Sequence, residues 1–151
     1  MTVVCGVIEL EAVTPANYDE VLMLRVAPAQ EHLIAPVVKS LADAFVWGAE
    51  PRVARSAGQL VGLVLVFPFE LAAEPVVNIV RLMIDHRHQG RGLGRLLIDS
   101  TIDWVATFRP RPRRLRVAIF PENERALILY RTAGFQGSDI ENGEVVLWRP
   151  L

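Results

Sequence analysis

Three glycines at alternate positions, Gly90, Gly92 and Gly94, follow a β-favouring run and precede an amphipathic segment. Unpaired N–H groups at the start of a helix carry a partial positive charge, and glycine lets the main chain come close to an anion. The phosphate loop of nucleotide hydrolases requires a lysine and a hydroxyl residue after the last glycine, whereas Arg95 follows here. The dinucleotide-binding pattern requires its last glycine one position later. The spacing therefore indicates a phosphate site that belongs to neither of these classes.

Two segments of the chain resemble the signature of the GCN5-related N-acetyltransferases (GNAT). The first is a strand followed by Gln89, Gly92, Gly94 and a helix, which matches the family pattern Arg/Gln-x-x-Gly-x-Gly/Ala. The second runs from Asn123 to Phe135 and is similar to the family stretch Asn-x-x-Ala-x-x-Leu-Tyr-x-x-x-Gly-Phe. The two motifs stand in the expected order, and the resemblance extends from about residue 60 to the C-terminus.

This resemblance implies that acetyl-CoA is the cosubstrate. In the family, main-chain amides of the glycine turn hold the CoA pyrophosphate, and the end of the preceding strand pairs with the pantetheine arm. An N–H of that strand, here of Met83 or Ile84, is expected to face the thioester oxygen and to stabilise the oxyanion that develops there. Carried over to this sequence, the CoA-binding residues are Leu82, Met83, Ile84, Gln89, Gly90, Arg91, Gly92, Leu93, Gly94, Arg95 and Asn123.

The resemblance also implies a catalytic residue. Tyr130 matches the family tyrosine that gives its phenolic proton to the departing CoA thiolate, which makes it the expected general acid. The helical pattern alone favours a core tyrosine instead. The attacking amine must lose a proton, which costs about 4 to 5 kcal/mol at pH 7 for an alkyl ammonium. The sequence identifies no direct general base, and the remaining hypothesis is a water relay to one of four carboxylates, Glu31, Asp43, Glu70 and Glu74.

The acceptor is expected to be a small-molecule primary amine, because the layout of the turn and the closing hairpin resembles the bacterial spermine/spermidine acetyltransferases. Acidic side chains attract the positive charges of a polyamine. Glu31 and Trp47 are the predicted substrate contacts. Three alternatives stay open: acetylation of a protein N-terminus, a lysine or an antibiotic amine; a CoA-binding module without turnover; and nucleic-acid binding. The last is disfavoured, because prolines interrupt the one arginine-rich run.

Hydrophobic periodicity predicts the elements that position these residues. The predicted order is typical of an α+β sandwich with the GNAT fold, in which about four helices flank a central, mostly antiparallel mixed sheet of six to seven strands. Strands are predicted over 3–10, 52–55, 60–67, 76–84, 115–120, 135–140 and 145–148, and helices over 15–26, within 28–45, over 93–108 and over 121–133.

The composition is that of a folded globular chain, with 52% apolar and 22% charged residues. A length of 151 residues fits a single acetyltransferase domain, residues 1–151. Apolar runs are shorter than the roughly 18 residues that cross a bilayer, and the N-terminus lacks signal-peptide character, so we expect a cytoplasmic protein with no membrane partner. Cys5 is the only cysteine and is predicted to be a small buried hydrophobe on the first strand.

Five arginines within residues 109–116 leave a net charge of −6 for the rest of the chain, since the total is −1. The run is predicted to be a solvated connecting loop, with contact to a CoA phosphate as the alternative. His86 and His88 lie two residues apart, but His32 is distant in sequence, so no metal site is expected. The sequence does not fix the oligomeric state. Dimers are common in the family, and the C-terminal strands could supply the interface of a homodimer.

Overall fold

A seven-stranded sheet forms the centre of the protein, and the predicted fold class is confirmed. The computed structural model describes residues 7–151. The strands and helices, in chain order, are β1 (Glu9–Glu11), α1 (Tyr18–Val21), α2 (Val37–Trp47), β2 (Glu50–Ser56), β3 (Gln59–Leu71), β4 (Glu74–Ile84), α3 (Leu93–Val105), β5 (Arg114–Ile119), α4 (Glu124–Thr132), β6 (Gln136–Glu141) and β7 (Glu144–Pro150), with short 3-10 turns at Pro28–Gln30 and His86–His88.

The strands lie in the order β1-β2-β3-β4-β5-β7-β6, and β4–β5 is the parallel pair. β2 and β3 form an antiparallel hairpin with a turn at Ala57 and Gly58. The predicted hairpin β6–β7 is also present, and its turn residues Asn142 and Gly143 both have positive φ angles, of 50° and 79°. These angles are those of a type I′ turn, for which Asn-Gly is the preferred sequence.

The N-terminal prediction of a helix over 15–26 is wrong, because the helix is the four-residue α1. Asn17 is buried and organises the preceding turn: its Oδ1 accepts from the Thr14 N–H at 2.8 Å, and its Nδ2 donates to the Ala12 carbonyl at 2.9 Å. This side chain holds residues 14–17 as a turn rather than as a first helical turn. The opening strand also begins later than predicted within the described chain, at Glu9, and Cys5 lies outside the described residues.

Two apolar clusters hold the helices to the two faces of the sheet. Residues of α3 and α4 pack with the sheet in the larger cluster, which includes Leu97, Ile98 and Tyr130. The smaller cluster joins α1 and α2 to β2, β3 and β4, and includes Val21 and Val37. At β5, β6 and β7 the second face carries polar and aromatic side chains instead, including Arg116 and Trp148. On this second face, α1 and α2 therefore cover β2, β3 and β4, whereas β5, β6 and β7 are more open.

The parallel pair β4–β5 separates part of the way along its length. Its paired residues run from Val76 with Arg114 to Ile79 with Val117, after which β4 continues to Ile84. A bulge lies at the point of separation: Leu65 and Val66 of β3 pair with Arg81 and Ile79, so that residue 80 is left as the extra one. A bulge bends its strand, and this bend carries the end of β4 away from β5. The result is a V-shaped opening in the middle of the sheet.

Candidate active site

A cleft of about 920 Å³ occupies the opening between β4 and β5. Its walls come from four parts of the chain: the end of β4, the glycine turn that follows it, the start and inner face of α4, and the irregular segment between α1 and α2. We call residues 89–95 the donor turn and residues 25–36 the acceptor segment. The residues that line the cleft include Glu31, Ile34, Arg81, Leu82, Ile84, Gln89, Gly90, Gly92, Gly94, Asn123, Arg125, Tyr130 and Glu144.

The end of β4 presents main-chain polar groups to this cleft. The Asp85 N–H donates to the Val61 carbonyl of β3 at 2.7 Å. Because bonded and non-bonded pairs alternate in an antiparallel ladder, the N–H of Met83 faces β3 as well, whereas the N–H groups of Leu82 and Ile84 face the cleft. The expectation that Met83 could supply the N–H for a thioester oxygen is therefore wrong, and Leu82 and Ile84 are the residues available for that contact.

The donor turn has the backbone that anion binding requires. Gly90 and Gly92 have φ angles of 78° and 76°, and a Cβ atom at either position would meet open space. L-residues rarely adopt this region, so glycine fits here for conformational reasons. Gly92 is the N-cap of α3, which aims free N–H groups of the helix at the cleft. A Cβ on Gly94 would lie 3.1 Å from Leu129, so Gly94 allows α3 and α4 to approach closely.

The cationic residues near the turn differ in their surroundings. Arg91 is exposed and does not line the cleft. Arg95 lines it, but its guanidinium is bonded to Asp99 at 3.1 Å and to the Thr132 carbonyl at 3.1 Å, which ties α3 to α4. Arg125, which sequence reasoning missed, also lines the cleft from the first turn of α4. Because it is exposed and lines the cleft, Arg125 is a candidate to contact an anion held by the turn.

Asp85 fixes the start of the donor turn. Its side chain is fully buried, and it accepts hydrogen bonds from the Arg87 side chain at 2.8 Å and from the N–H groups of Arg87 and Arg25, each at 3.0 Å. Burial alone would raise the pKa of Asp85, but these hydrogen bonds, the one from the Arg87 side chain foremost, outweigh it and lower the pKa below its ordinary value. Asp85 is thus a charged anchor that joins the turn to Arg25.

The Tyr130 side chain lines the cleft from α4 and is buried. Its ring packs edge-to-face on Phe135, with centroids 5.1 Å apart. Burial raises the pKa of its phenol above the ordinary value near 10, so the hydroxyl remains protonated at neutral pH. Asn123 caps the same helix, because its Oδ1 accepts from the Ala126 N–H at 3.3 Å. The two residues that the second motif singled out therefore share one wall of the cleft.

Two carboxylates, Glu31 and Glu144, line the cleft among the described residues. Glu31 was predicted as a substrate contact and belongs to the acceptor segment. Glu144 was missed, although it opens the last strand. Since β7 runs antiparallel beside β5 and Val145 pairs with Ile119, the first residue of β7 lies at the end of β5, where the cleft opens. The Asn-Gly turn fixes the pairing of β6 with β7, whereas the place of β7 beside β5 is set by the strand order of the sheet.

Other candidate residues lie away from the cleft. Trp47 is 70% exposed at the end of α2 and does not line the cleft, so the prediction that it contacts substrate is not supported by its position. Asp43 is held by Lys39 at 2.9 Å and by Arg81 at 2.7 Å. Glu70 and Glu74 belong to the β3–β4 hairpin, and eight residues of strand, or about 26 Å, separate Glu74 from Leu82. A relay to either of these two residues is therefore ruled out.

The arginine run also lies at the far end of the sheet. Residues 106–113 lead from the end of α3 to the start of β5, where Arg114 pairs with Val76, whereas the donor turn follows the opposite end of β4. Arg109, Arg111 and Arg113 therefore lie in an exposed connection, as expected, whereas Arg114 and Arg116 belong to β5, and the whole run lies at the end of the sheet away from the donor turn. Within residues 7–151, no group of three or more His, Cys, Asp or Glu side chains is placed to hold a metal ion.

Known proteins resemble the chain in sequence and in structure. The acetyltransferase (GNAT) family model matches residues 18–135. The spermine/spermidine N(1)-acetyltransferase of Bacillus subtilis strain 168 is 32% identical over 151 residues, covering 95% of this chain and 99% of that protein. An acetyltransferase from Thermus thermophilus is similar in structure, with a TM-score of 0.75, 24% identity and 100% of both chains covered.

A second solved structure resembles the fold more closely but at lower identity. The aminoglycoside acetyltransferase AAC(6′)-Ib in complex with acetyl-CoA has a TM-score of 0.80 and 15% identity, with 95% of this chain and 93% of that chain covered. At this identity the likeness shows the fold alone. In the described part of the chain, none of the helices combines the length and apolar character that crossing a bilayer requires.

Proposed function

The chain belongs to the acetyltransferase (GNAT) family and is an N-acetyltransferase with acetyl-CoA as cosubstrate, and on this premise we propose that it acetylates a primary amine of a polyamine, with Tyr130 as the general acid. One observation carries the proposal: a single cleft joins the glycine-rich donor turn, the buried phenol of Tyr130 and two carboxylates, Glu31 and Glu144. Those groups match an anionic donor, a thiolate leaving group and a cationic acceptor, respectively.

On the donor side, the proposal uses main-chain groups. The N–H groups of the donor turn and of the first turn of α3 bind the CoA diphosphate, and the open edge of β4 pairs with the amides of the pantetheine arm. An N–H of Leu82 or Ile84 donates to the thioester oxygen. This N–H stabilises the negative charge that develops on the oxygen when the amine attacks, because a fixed main-chain donor needs no reorganisation.

On the acceptor side, the amine nitrogen attacks the thioester carbon as a neutral amine. Its proton passes to water or to a carboxylate of the cleft, for which Glu144 and Glu31 are the candidates. The tetrahedral intermediate then expels the CoA thiolate, which takes the phenolic proton of Tyr130. The raised pKa keeps Tyr130 protonated at neutral pH but makes the phenol a weaker acid, so its proton is transferred only as negative charge develops on the sulfur.

A polyamine fits the acceptor side because its remaining ammonium groups need anionic partners. A carboxylate hydrogen-bonded to an ammonium contributes about 1.5 to 3 kcal/mol, which corresponds to roughly 10- to 100-fold in affinity. The curated relative that is 32% identical along almost its whole length acts on spermine and spermidine by its name, which supports the same acceptor class here. Aminoglycosides are also amines, and they form a comparison arm of the test rather than a second proposal.

The test is a thiol-release assay with acetyl-CoA and five acceptors: spermidine, spermine, lysine, a peptide with a free N-terminus and an aminoglycoside. We expect the highest kcat/KM with spermidine or spermine. Glu144→Gln is expected to raise the KM for the polyamine about 10-fold or more, with the KM for acetyl-CoA unchanged. Glu141→Gln, three residues away in the same hairpin and outside the cleft, is the matched control. Preference for the peptide or lysine would refute the polyamine assignment.

A further inference from the structure

The acceptor segment is bonded directly to the chain that leads into the donor turn. The His86 N–H donates to the Arg25 carbonyl at 2.8 Å, and the Arg25 N–H donates to the buried Asp85 carboxylate at 3.0 Å. Further along, Gln89 Nε2 donates to Gln30 Oε1 at 2.8 Å. The contacts join two parts of the chain about 60 residues apart, since the Asp85 and Gln89 bonds span 60 and 59 positions.

The amide of Gln89 is fully used as a donor by this arrangement. Nε2 carries two N–H groups, and besides Gln30 it donates to the Ile84 carbonyl at 3.0 Å. Neither N–H is then left for a phosphate oxygen. The prediction that Gln89 contacts CoA concerns the main-chain amides of the turn, so the side chain is not needed as a phosphate ligand. It instead connects the open edge of β4 to the acceptor segment.

Gln30 completes the connection on the other side. Its Oε1 also accepts from the Ala27 N–H at 3.3 Å, which fixes the 3-10 turn at Pro28–Gln30. Glu31 follows at once, and with Ile34 and neighbouring residues it lines the cleft. The acceptor segment contains no longer element than this turn, so its position depends on a few contacts such as these.

We propose that Gln89 and Gln30 are positioning residues that couple the two halves of the cleft, so that acetyl-CoA binding at the donor turn orders the acceptor segment. A donor that pairs with the edge of β4 and fills the turn restrains residues 84–89, and the Gln89–Gln30 bond passes this restraint to Glu31. If acetyl-CoA binding raises the affinity for the acceptor, acceptor binding must raise the affinity for acetyl-CoA by the same factor. An acceptor held by Glu31 therefore also tightens donor binding. The inference rests on the proposed function only for the statement that the acceptor lies beside Glu31.

Hydrogen exchange followed by mass spectrometry tests the coupling without any acceptor, with CoA itself as the probe. In the unsubstituted protein, saturating CoA is expected to slow exchange across residues 25–36 about threefold or more. In Gln30→Ala this slowing is lost, while the CoA affinity measured by calorimetry stays within about threefold. Gln30→Glu keeps an oxygen that accepts from Gln89, and it is expected to restore the slowing. Gln59→Ala, at the exposed start of β3, is the matched control.

Two results would overturn the coupling. One is equal slowing by CoA in the unsubstituted protein and in Gln30→Ala. The other is a fall in the CoA affinity of Gln30→Ala well beyond threefold together with the loss of slowing. That result would make Gln30 part of the donor site. A turnover assay tests the coupling separately from the proposed function. With the acceptor that gives the highest kcat/KM, Gln30→Ala is expected to raise the acceptor KM about fivefold with little change in kcat. A chain that acetylates no polyamine can still show the CoA-dependent slowing.

Discussion

Substituting Gly62 by alanine is expected to damage the open edge of β4 through a contact on its other side. Gly62 lies on β3 opposite Ile84 of β4. A Cβ atom added there would lie 2.3 Å from the Met83 carbonyl oxygen, 3.0 Å from the Ile84 side chain and 3.4 Å from Leu97. The closest atom belongs to the main chain, so no side-chain rotation relieves the overlap.

The required displacement follows from these distances. Raising the Cβ–oxygen separation from 2.3 Å to the 3.0 Å below which real Cβ atoms are hardly ever found moves the strands apart by about 0.7 Å. Overpacking of this kind costs about 1 to 3 kcal/mol, and a chain of this size loses about 2 to 4 °C in Tm for each kcal/mol. Misplacing reacting groups by about 1 Å costs on the order of 100-fold in rate, so kcat/KM is expected to fall about 10- to 100-fold.

Thermal unfolding and initial acetylation rates on the same preparation measure both effects. Gly58→Ala is the matched control, because Gly58 has a φ angle of 79° at the β2–β3 turn and a Cβ there would meet open space. Gly58→Ala is expected to lower Tm by about as much as Gly62→Ala does. Its acetylation activity is expected to stay intact at temperatures where the protein is folded. If Gly62→Ala loses no more activity than Gly58→Ala, the geometry of the β4 edge does not control the reaction.

Three further predictions concern the donor turn and Tyr130. Tyr130→Phe is expected to lower kcat at least 10-fold with acetyl-CoA affinity and Tm nearly unchanged, since the ring keeps its contact with Phe135; full activity would remove the acid role. Gly92→Val is expected to weaken CoA binding at least 10-fold in calorimetry, because an L-residue is strained at a φ of 76° and its side chain would enter the space open to the anion; intact affinity would contradict the turn assignment. Because burial raises the pKa of Tyr130, the folded form holds the phenolic proton more tightly than the unfolded form, and the associated stability is present below pH 10 and is lost as pH rises beyond it. Denaturant unfolding between pH 9 and 11 is expected to show a steeper loss for the unsubstituted protein than for Tyr130→Phe, and equal slopes would count against the shift.

The sequence predicted best those features that depend on local backbone chemistry. Gly90 and Gly92 adopt the positive φ angles that make glycine necessary there, and the Asn142–Gly143 turn has the conformation that its residues favour. In each case the residue type and the backbone state are linked within a few positions. Local signals of this kind need no knowledge of the tertiary structure.

Predictions failed where a distant or buried contact decided the outcome. Asn17 delays the start of the expected helix by bonding to Thr14 and Ala12, contacts that hydrophobic periodicity does not reveal. Glu70 and Glu74 were candidates for the relay because they are acidic and near β4 in sequence, yet the long hairpin places them at the wrong end of the strand. Glu144 shows the reverse case, since its place in the cleft comes from strand order, and strand order is a property of the whole sheet.

The separation of β4 from β5 connects the fold to the function. An interior strand ordinarily pairs its N–H and carbonyl groups with strands on both sides. In residues 80–84 the pairing with β5 is missing, and the bulge opposite Leu65 and Val66 bends β4 away, so these main-chain groups face the cleft. A ligand with its own amides in an extended chain would complete the pairing along that edge, as the pantetheine arm of acetyl-CoA would. The Gln89 bond to the Ile84 carbonyl marks where that edge ends.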